Sequence, residues 1–216
     1  MNAQTTTQMN AQTTTQMNAQ TNTQMMRTHS MFPTPLYAWK IPNSSVINSA
    51  LEQQAVEMSN NTEGIIKSNV KGWHSDTDIH TKLEYKEIFD IIESSLSNIF
   101  TSRGINDSVL FVSNAWFNIN QKGAYNQMHS HPWSFFSGVY YIKTPKNCGH
   151  LIFEDPRPVE VHNPFPDFKF PTVSIEPVAG TLFIFPSYLP HKVEPNESDE
   201  NRISISFNAS FRKIKS

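Results

Sequence analysis

"RISISFNASF", residues 202–211, alternates from its first residue. Ile203, Ile205 and Phe207 share one parity; Arg202 and Ser204 share the other. Side chains of an extended strand point alternately to opposite faces. One face is therefore apolar, and the other carries a fixed cation and a hydroxyl. Upstream, the same short-strand texture recurs at 108–120, 135–143, 149–154, 173–176, 181–185 and 190–194. Pro, Asn and Asp clusters separate these runs and mark turns.

Two segments before the strands have a helical period instead. In 47–59, Leu51, Ala55 and Met58 recur at i, i+4 and i+7. From Lys82 to Ser102, Tyr85, Ile88, Phe89, Ile92, Leu96, Ile99 and Phe100 form one apolar stripe, and Gly104 follows as a C-terminal cap residue. Two helices followed by six or more short strands predict a mainly β fold with flanking helices, a helix-backed sandwich or small barrel.

Composition sets the outer limits. The 216 residues suffice for one domain with a sizeable core. A net charge of −2 gives no broad basic surface, so there is no strong nucleic-acid pattern and no pull toward anionic membranes. No apolar run reaches the ~20 residues needed to span a bilayer. The single cysteine, Cys148, allows no disulfide within the chain, which fits a reducing cytoplasm. The first 24 residues are three polar octapeptides, MNAQTTTQ, MNAQTTTQ and MNAQTNTQ, with no charge and no aromatic residue. Such a repeat buries too little apolar surface to offset its ordering entropy. The expected division is a disordered tail over 1–26 and one domain over 27–216.

The chemistry concentrates around "MHSHPWSFFSGVYY", residues 128–141. In an extended backbone His129 and His131 project from one face, with Cα atoms ~6.5–7 Å apart. Pro132 holds His131 extended. Two imidazoles at that spacing can converge on one ion. His191, after the apolar strand in "GTLFIFPSYLPH", is the candidate third ligand. Neutral imidazole accepts Fe, Zn, Cu and Ni alike, so ligand type does not select the metal. Arg202 lies eleven residues after His191, across the turn-rich "VEPNESDEN". A turn at Asn196–Glu197 would set the two opposite each other in an antiparallel hairpin. The guanidinium fork would then hold a carboxylate beside the metal, with Ser204 adding a hydrogen bond. A surface ion pair with Glu197, Asp199 or Glu200 is the competing role for Arg202.

Together these pieces resemble a known family. "NAWFNIN…GAYNQMHSHPWSFFSGVYYIKTP", "GHLIFEDP", "GTLFIFPSYLPH" and "RISISFN" look like the 2-oxoglutarate/Fe(II)-dependent oxygenase superfamily. The closer likeness is to a little-characterised branch found in bacteria and in phages of marine bacteria. It covers roughly residues 31–211.

The resemblance implies a double-stranded β-helix, a cupin-like jelly roll. It implies Fe(II), O2 and 2-oxoglutarate as cosubstrate, with hydroxylation of a substrate it does not identify and release of succinate and CO2. For a phage-encoded protein it implies the host cytoplasm. It assigns metal binding to His129 and His191, and the far carboxylate of 2-oxoglutarate to Arg202, with Ser204 completing an Arg-x-Ser pairing. Position 131 departs from the family, which has a carboxylate there. Parity favours His131 as third ligand; Asp155 in "FEDPR" is the alternative, with Glu154 behind it.

Trp116, Asn118, Asn126, Ser137 and Tyr141 are candidate pocket residues. The proline-rich 155–172 is a candidate lid carrying Arg157 and His162. Two other functions remain open: a three-histidine dioxygenase that needs no 2-oxoglutarate, and a non-catalytic jelly-roll module.

Overall fold

The computed structural model describes residues 32–158 and 172–214. Two antiparallel sheets form the domain. The larger contains β1 (Tyr37–Lys40), β3 (Trp73–His74), β4 (Ser108–Asn120), β6 (Phe136–Lys143), β9 (Thr181–Pro186) and β11 (Arg202–Lys213) in the order β1-β9-β6-β11-β4-β3. The smaller contains β2 (Asn69–Val70), β5 (Tyr125–His129), β7 (Leu151–Glu154), β8 (Thr172–Ile175) and β10 (His191–Val193) in the order β2-β5-β10-β7-β8. From β4 onward successive strands switch between the sheets, apart from the paired β7 and β8, and the result is a double-stranded β-helix.

Helices α1 (Ser44–Asn61) and α2 (Lys86–Ser102) back the larger sheet. The α2 stripe of Ile88, Ile92, Leu96 and Ile99 is buried against Phe117, Ile119, Ile203, Ile205 and Phe207. The helix begins four residues later than the periodicity suggests, because Leu83–Tyr85 form a 3-10 turn. At the other end Gly104 takes φ +69° and its N–H bonds the Thr101 carbonyl, as a C-terminal cap residue does. The opposite face of the larger sheet looks into the space between the sheets. There Val139, Tyr141, Phe183 and Phe185 meet Leu151, Phe153 and Leu189 in a second, smaller core.

Two local devices shape β11 and its neighbours. A register shift opposite Asn208/Ala209 inserts one extra residue into β4, at Ser113. Without it, Leu110 and Val112 would not share a face with Ala115, Phe117 and Ile119. Gly138 pairs with Phe207, and a Cβ at 138 would stand 2.3 Å from the Phe207 ring. The phenyl ring takes the space that glycine leaves free.

The sequence expectations for β4, β6, β7, β8, β9, β10 and β11 agree with the structure to within about two residues at either end. The hairpin between His191 and Arg202 is corrected. β10 is already flanked by β5 and β7, so it has no free edge for β11. β11 pairs with β4 and β6 in the other sheet, and the partners of Arg202 and Ser204 on β4 are Asn120 and Asn118. The intervening loop is a crossover between sheets. The expected tail over 1–26 lies outside the described residues, as does His162 in the candidate lid. Among the described residues no helix is long and apolar enough to cross a membrane.

Candidate active site

Three histidines meet at one end of the space between the sheets. His129 closes β5, and His191 opens β10 directly opposite it. His131 follows two residues after the end of β5, where its backbone N–H bonds the Ser187 carbonyl at 2.9 Å. Ring centroids are 4.4 Å apart for His129–His191, 4.9 Å for His129–His131 and 5.2 Å for His131–His191. One nitrogen from each lies within 4.8 Å of the others. Among the described residues this is the one group of three or more His, Cys, Asp or Glu donors so close together.

The tautomers follow from the backbone. Nδ1 of His129 faces the Gln127 carbonyl at 2.7 Å, and Nδ1 of His191 faces the Leu189 carbonyl at 2.9 Å. A carbonyl only accepts, so Nδ1 carries the proton in both rings and Nε2 keeps its lone pair. All three imidazoles are held neutral. Burial lowers the His131 pKa to about 3, with the charges of His191 and His129 adding to the effect. Burial, then His129, lowers His191 to about 4, and burial lowers His129 as well. Neutral nitrogen donors already stripped of water suit a cation.

Arg202 faces the same cavity from the other sheet. Its side chain is 1% exposed, and burial lowers its pKa. Nη1 donates to the carbonyls of Cys148 and, at 3.2 Å, Glu194. Nη2 is buried with no partner. An orphaned buried guanidinium nitrogen is costly and calls for an acceptor. A turn at Lys146–Asn147, closed by the Cys148 N–H on the Pro145 carbonyl at 3.2 Å, leads into the Cys148 carbonyl. Gly149 adopts φ +81°, and a Cβ there would lie 2.6 Å from the carbonyl oxygens of Glu194 and Pro195. Only glycine fits so close to the second carbonyl that holds Arg202. Ser204 lies one pleat further along β11 and lines the same cavity. Tyr141, wholly buried opposite Ser204, has its pKa raised to about 12 by desolvation and stays a neutral phenol.

Trp116, Asn118, Asn126 and Tyr141 line this cavity, as their positions suggest. Ser137 does not; it is buried and donates to Asn208 Oδ1 at 2.7 Å. Asp155 stands outside the three-histidine group. Its carboxylate is engaged by Arg157, which lowers its pKa to about 2. Glu154, at the end of β7, is likewise not one of the clustered donors. Sequence reasoning missed Ser68, whose Oγ is 3.5 Å from His129 Nε2, and His74, which stacks on Trp116 with centroids 5.1 Å apart. Both belong to two-residue strands or their flanks, too short for any periodicity to reveal.

Residues 114–208 match the family described as "Putative 2OG-Fe(II) oxygenase". In sequence and fold the chain resembles the 2OG-Fe(II) oxygenase superfamily. The matched stretch begins on β4, ends on β11 and contains all three histidines and Arg202. The family implies Fe(II), 2-oxoglutarate and O2, and the three-histidine cluster fits iron. This is oxidoreductase chemistry of the oxygenase class.

Among curated proteins no sequence matches. Solved structures share the fold at low identity. A prolyl-4-hydroxylase from Pseudomonas putida superposes with a TM-score of 0.59 at 17% identity, covering 84% of this chain and 94% of that one. The viral collagen prolyl hydroxylase of Paramecium Bursaria Chlorella virus-1, solved as a 2OG complex, gives 0.55 at 16%, with 81% and 94% covered. The α-ketoglutarate-dependent epimerase SnoN from nogalamycin biosynthesis gives 0.63 at 12%, with 82% and 77% covered.

Proposed function

We propose that the protein is an Fe(II)- and 2-oxoglutarate-dependent dioxygenase of the hydroxylase type. His129, His131 and His191 hold the metal, and Arg202 with Ser204 holds the far carboxylate of 2-oxoglutarate. One observation carries this reading: three clustered neutral histidines, two of them on one sheet, share a cavity with a buried, half-partnered guanidinium on the other sheet. When bound, iron and 2-oxoglutarate supply an oxidative decarboxylation to succinate and CO2 and the oxidising power to hydroxylate a C–H bond.

The chain's own residues supply the setting. The Gln127 and Leu189 carbonyls fix two imidazoles so that Nε2 faces inward. The Cys148 and Glu194 carbonyls occupy one arm of the Arg202 fork and leave the other for a carboxylate oxygen. Val139, Phe153, Phe185 and Leu189 exclude water behind the histidines, which strengthens every electrostatic contact within.

Anaerobic titration with Fe(II) and 2-oxoglutarate tests the reading through the weak visible charge-transfer band of a chelated complex. His129→Ala and His191→Ala should each abolish stoichiometric Fe(II) binding, and His131→Ala should weaken it strongly. Normal binding by His131→Ala together with loss in Asp155→Ala would transfer the third position to the aspartate. A donor set with three histidines and no carboxylate also favours a second reading, a dioxygenase that binds substrate directly at the metal. Substrate-dependent turnover without succinate would select that one.

A further inference from the structure

Beyond the histidines a second, wider cavity opens outward. It is a groove of about 620 Å³, a size that suits a small-molecule substrate. Ser68, Trp116, His129 and His131 belong to its wall and to the inner cavity alike, so the two meet at the histidine cluster. What fills the groove must therefore present itself to the metal.

The lining of the groove holds one fixed cation and no anion. Lys67 lines it, and no Asp or Glu does, although the chain carries 19 acidic residues against 17 basic ones. The contrast with another surface cavity, of about 790 Å³, is direct: Glu176, Glu194 and Glu197 line that one. Lys67 has no ion-pair partner among the described residues. Its backbone is fixed. The Lys67 N–H donates to Asn69 Oδ1 at 2.7 Å, and the next residue's carbonyl accepts from Gln127 N–H on β5 at 2.9 Å. Ser68 also places its Oγ 3.5 Å from His129 Nε2, so the backbone of Lys67 is one residue away from the histidine cluster. Deeper in, Asn208 Nδ2 donates to Asn114 Oδ1 at 2.9 Å. The Trp116 ring, braced by the parallel ring of His74, forms an apolar wall.

We propose that the substrate is an anion, carrying a carboxylate or phosphate that Lys67 takes at the mouth of this groove. The inference rests on the oxygenase reading above, since it assigns the groove to the molecule that is oxidised. An anionic group would pair with the Lys67 ammonium, and the low-dielectric wall of Trp116 would strengthen the pairing. A cationic or hydrogen-bond-donating substrate would meet like charge and no carboxylate.

Three probes of similar shape test it on the full chain: phenylacetate, phenyl phosphate and the neutral phenylacetamide. Binding is followed by ligand-observed NMR in wild type, Lys67→Gln, Lys67→Arg and Arg202→Gln, with and without saturating Mn(II) and 2-oxoglutarate. The two anions should bind about two- to fivefold more tightly than the amide, the range of an exposed ion pair. That preference should survive preloading and Arg202→Gln, persist in Lys67→Arg and vanish in Lys67→Gln. The stronger of the two anions then names the substrate's acidic group. Equal binding of anions and amide, or a preference that outlives Lys67→Gln, would overturn the proposal. A preference lost only in Arg202→Gln would place the anions in the inner cavity and overturn it too, while supporting the cosubstrate role of Arg202. Failure of 2-oxoglutarate to bind, alongside a Lys67-dependent preference, would instead sink the cosubstrate reading and leave the anion site standing.

Discussion

Strand β11 has two buried faces that obey different rules. On one, Ile203, Ile205 and Phe207 pack under α2 among side chains that need nothing but volume and water exclusion. On the other, Arg202 and Ser204 sit just as deep, yet Arg202 keeps an unpartnered donor. The first face holds the fold together. The second leaves a buried charged donor unpaired at a cost in stability, which the proposed cosubstrate would offset. A residue's burial therefore says little about its role here. Its parity on the strand says more.

The sharpest way to break this contrast is to cut into the apolar face. Phe207→Ala removes the ring that covers Gly138 and should cost about 3–5 kcal/mol in chemical denaturation. Fe(II) stoichiometry per folded molecule should stay unchanged. Loss of metal binding by the folded fraction would mean that the two faces are not separable.

The matching cut on the polar face is Arg202→Ala. It should retain Fe(II) and lower 2-oxoglutarate affinity by roughly ten- to a hundred-fold, since hydrogen bonds to charged groups are worth ~1.5–3 kcal/mol. Arg202→Lys should recover part of the loss, because a point charge replaces a planar fork. Unchanged affinity in Arg202→Ala, measured by the same titration, would remove the cosubstrate role.

Acid should separate the metal end from the rest of the fold. In the folded metal-free protein His131 and His191 titrate at about 3 and about 4, whereas unfolded histidine titrates near 6.5. As pH falls the unfolded chain takes up protons first. The stability these groups contribute is complete above about pH 6.5 and is lost as pH falls toward their folded values. Unfolding free energies from urea titrations at about pH 7 and about pH 5 should differ by on the order of 3–4 kcal/mol, roughly half from each histidine. A His131→Gln, His191→Gln double variant should flatten that slope. The smallest effect is expected at the N-terminus. Deleting residues 1–25, a charge-free repeat, should leave melting temperature and Fe(II) affinity unchanged; a clear drop in melting temperature would show that the repeat packs on the domain.

Much of this organisation was readable from residues alone, and where reading failed the cause is physical. β4, β6, β9 and β11 each bury both faces, and the parity of their apolar residues is plain in the chain. The α2 stripe was equally legible. β5, "YNQMH", was not: it lies half open at the rim, so its sequence lacks an apolar face. β2 and β3 have two residues each and are set by partners far away in sequence. His129 and His131 were legible because parity is local, and His191 because it follows an apolar strand and its Pro-bounded turn. The hairpin drawn from His191 to Arg202 failed because pairing is decided by which strand edges are free, and both edges of β10 were taken. Even so, Arg202 came to face the histidines, from the opposite wall rather than the adjacent strand.

That placement gives Asn196 a consequence of its own. Two connections run between the sheets at this end, from β4 to β5 and from β10 to β11. Asn196, with no exposed surface, joins them. Its side-chain amide donates to the Asn120 and Glu200 carbonyls, each at 2.8 Å. Its N–H donates to the Ala124 carbonyl at 3.0 Å, and its own carbonyl accepts from Gly123 N–H at 2.7 Å. His129 and His191 ride on one sheet and the guanidinium on the other, so under the proposed function the gap between them would work as a caliper whose jaws one asparagine locks. Discrimination among dicarboxylic acids of different length would then come from the spacing of the two sheets, and the cavity lining would have little part in it.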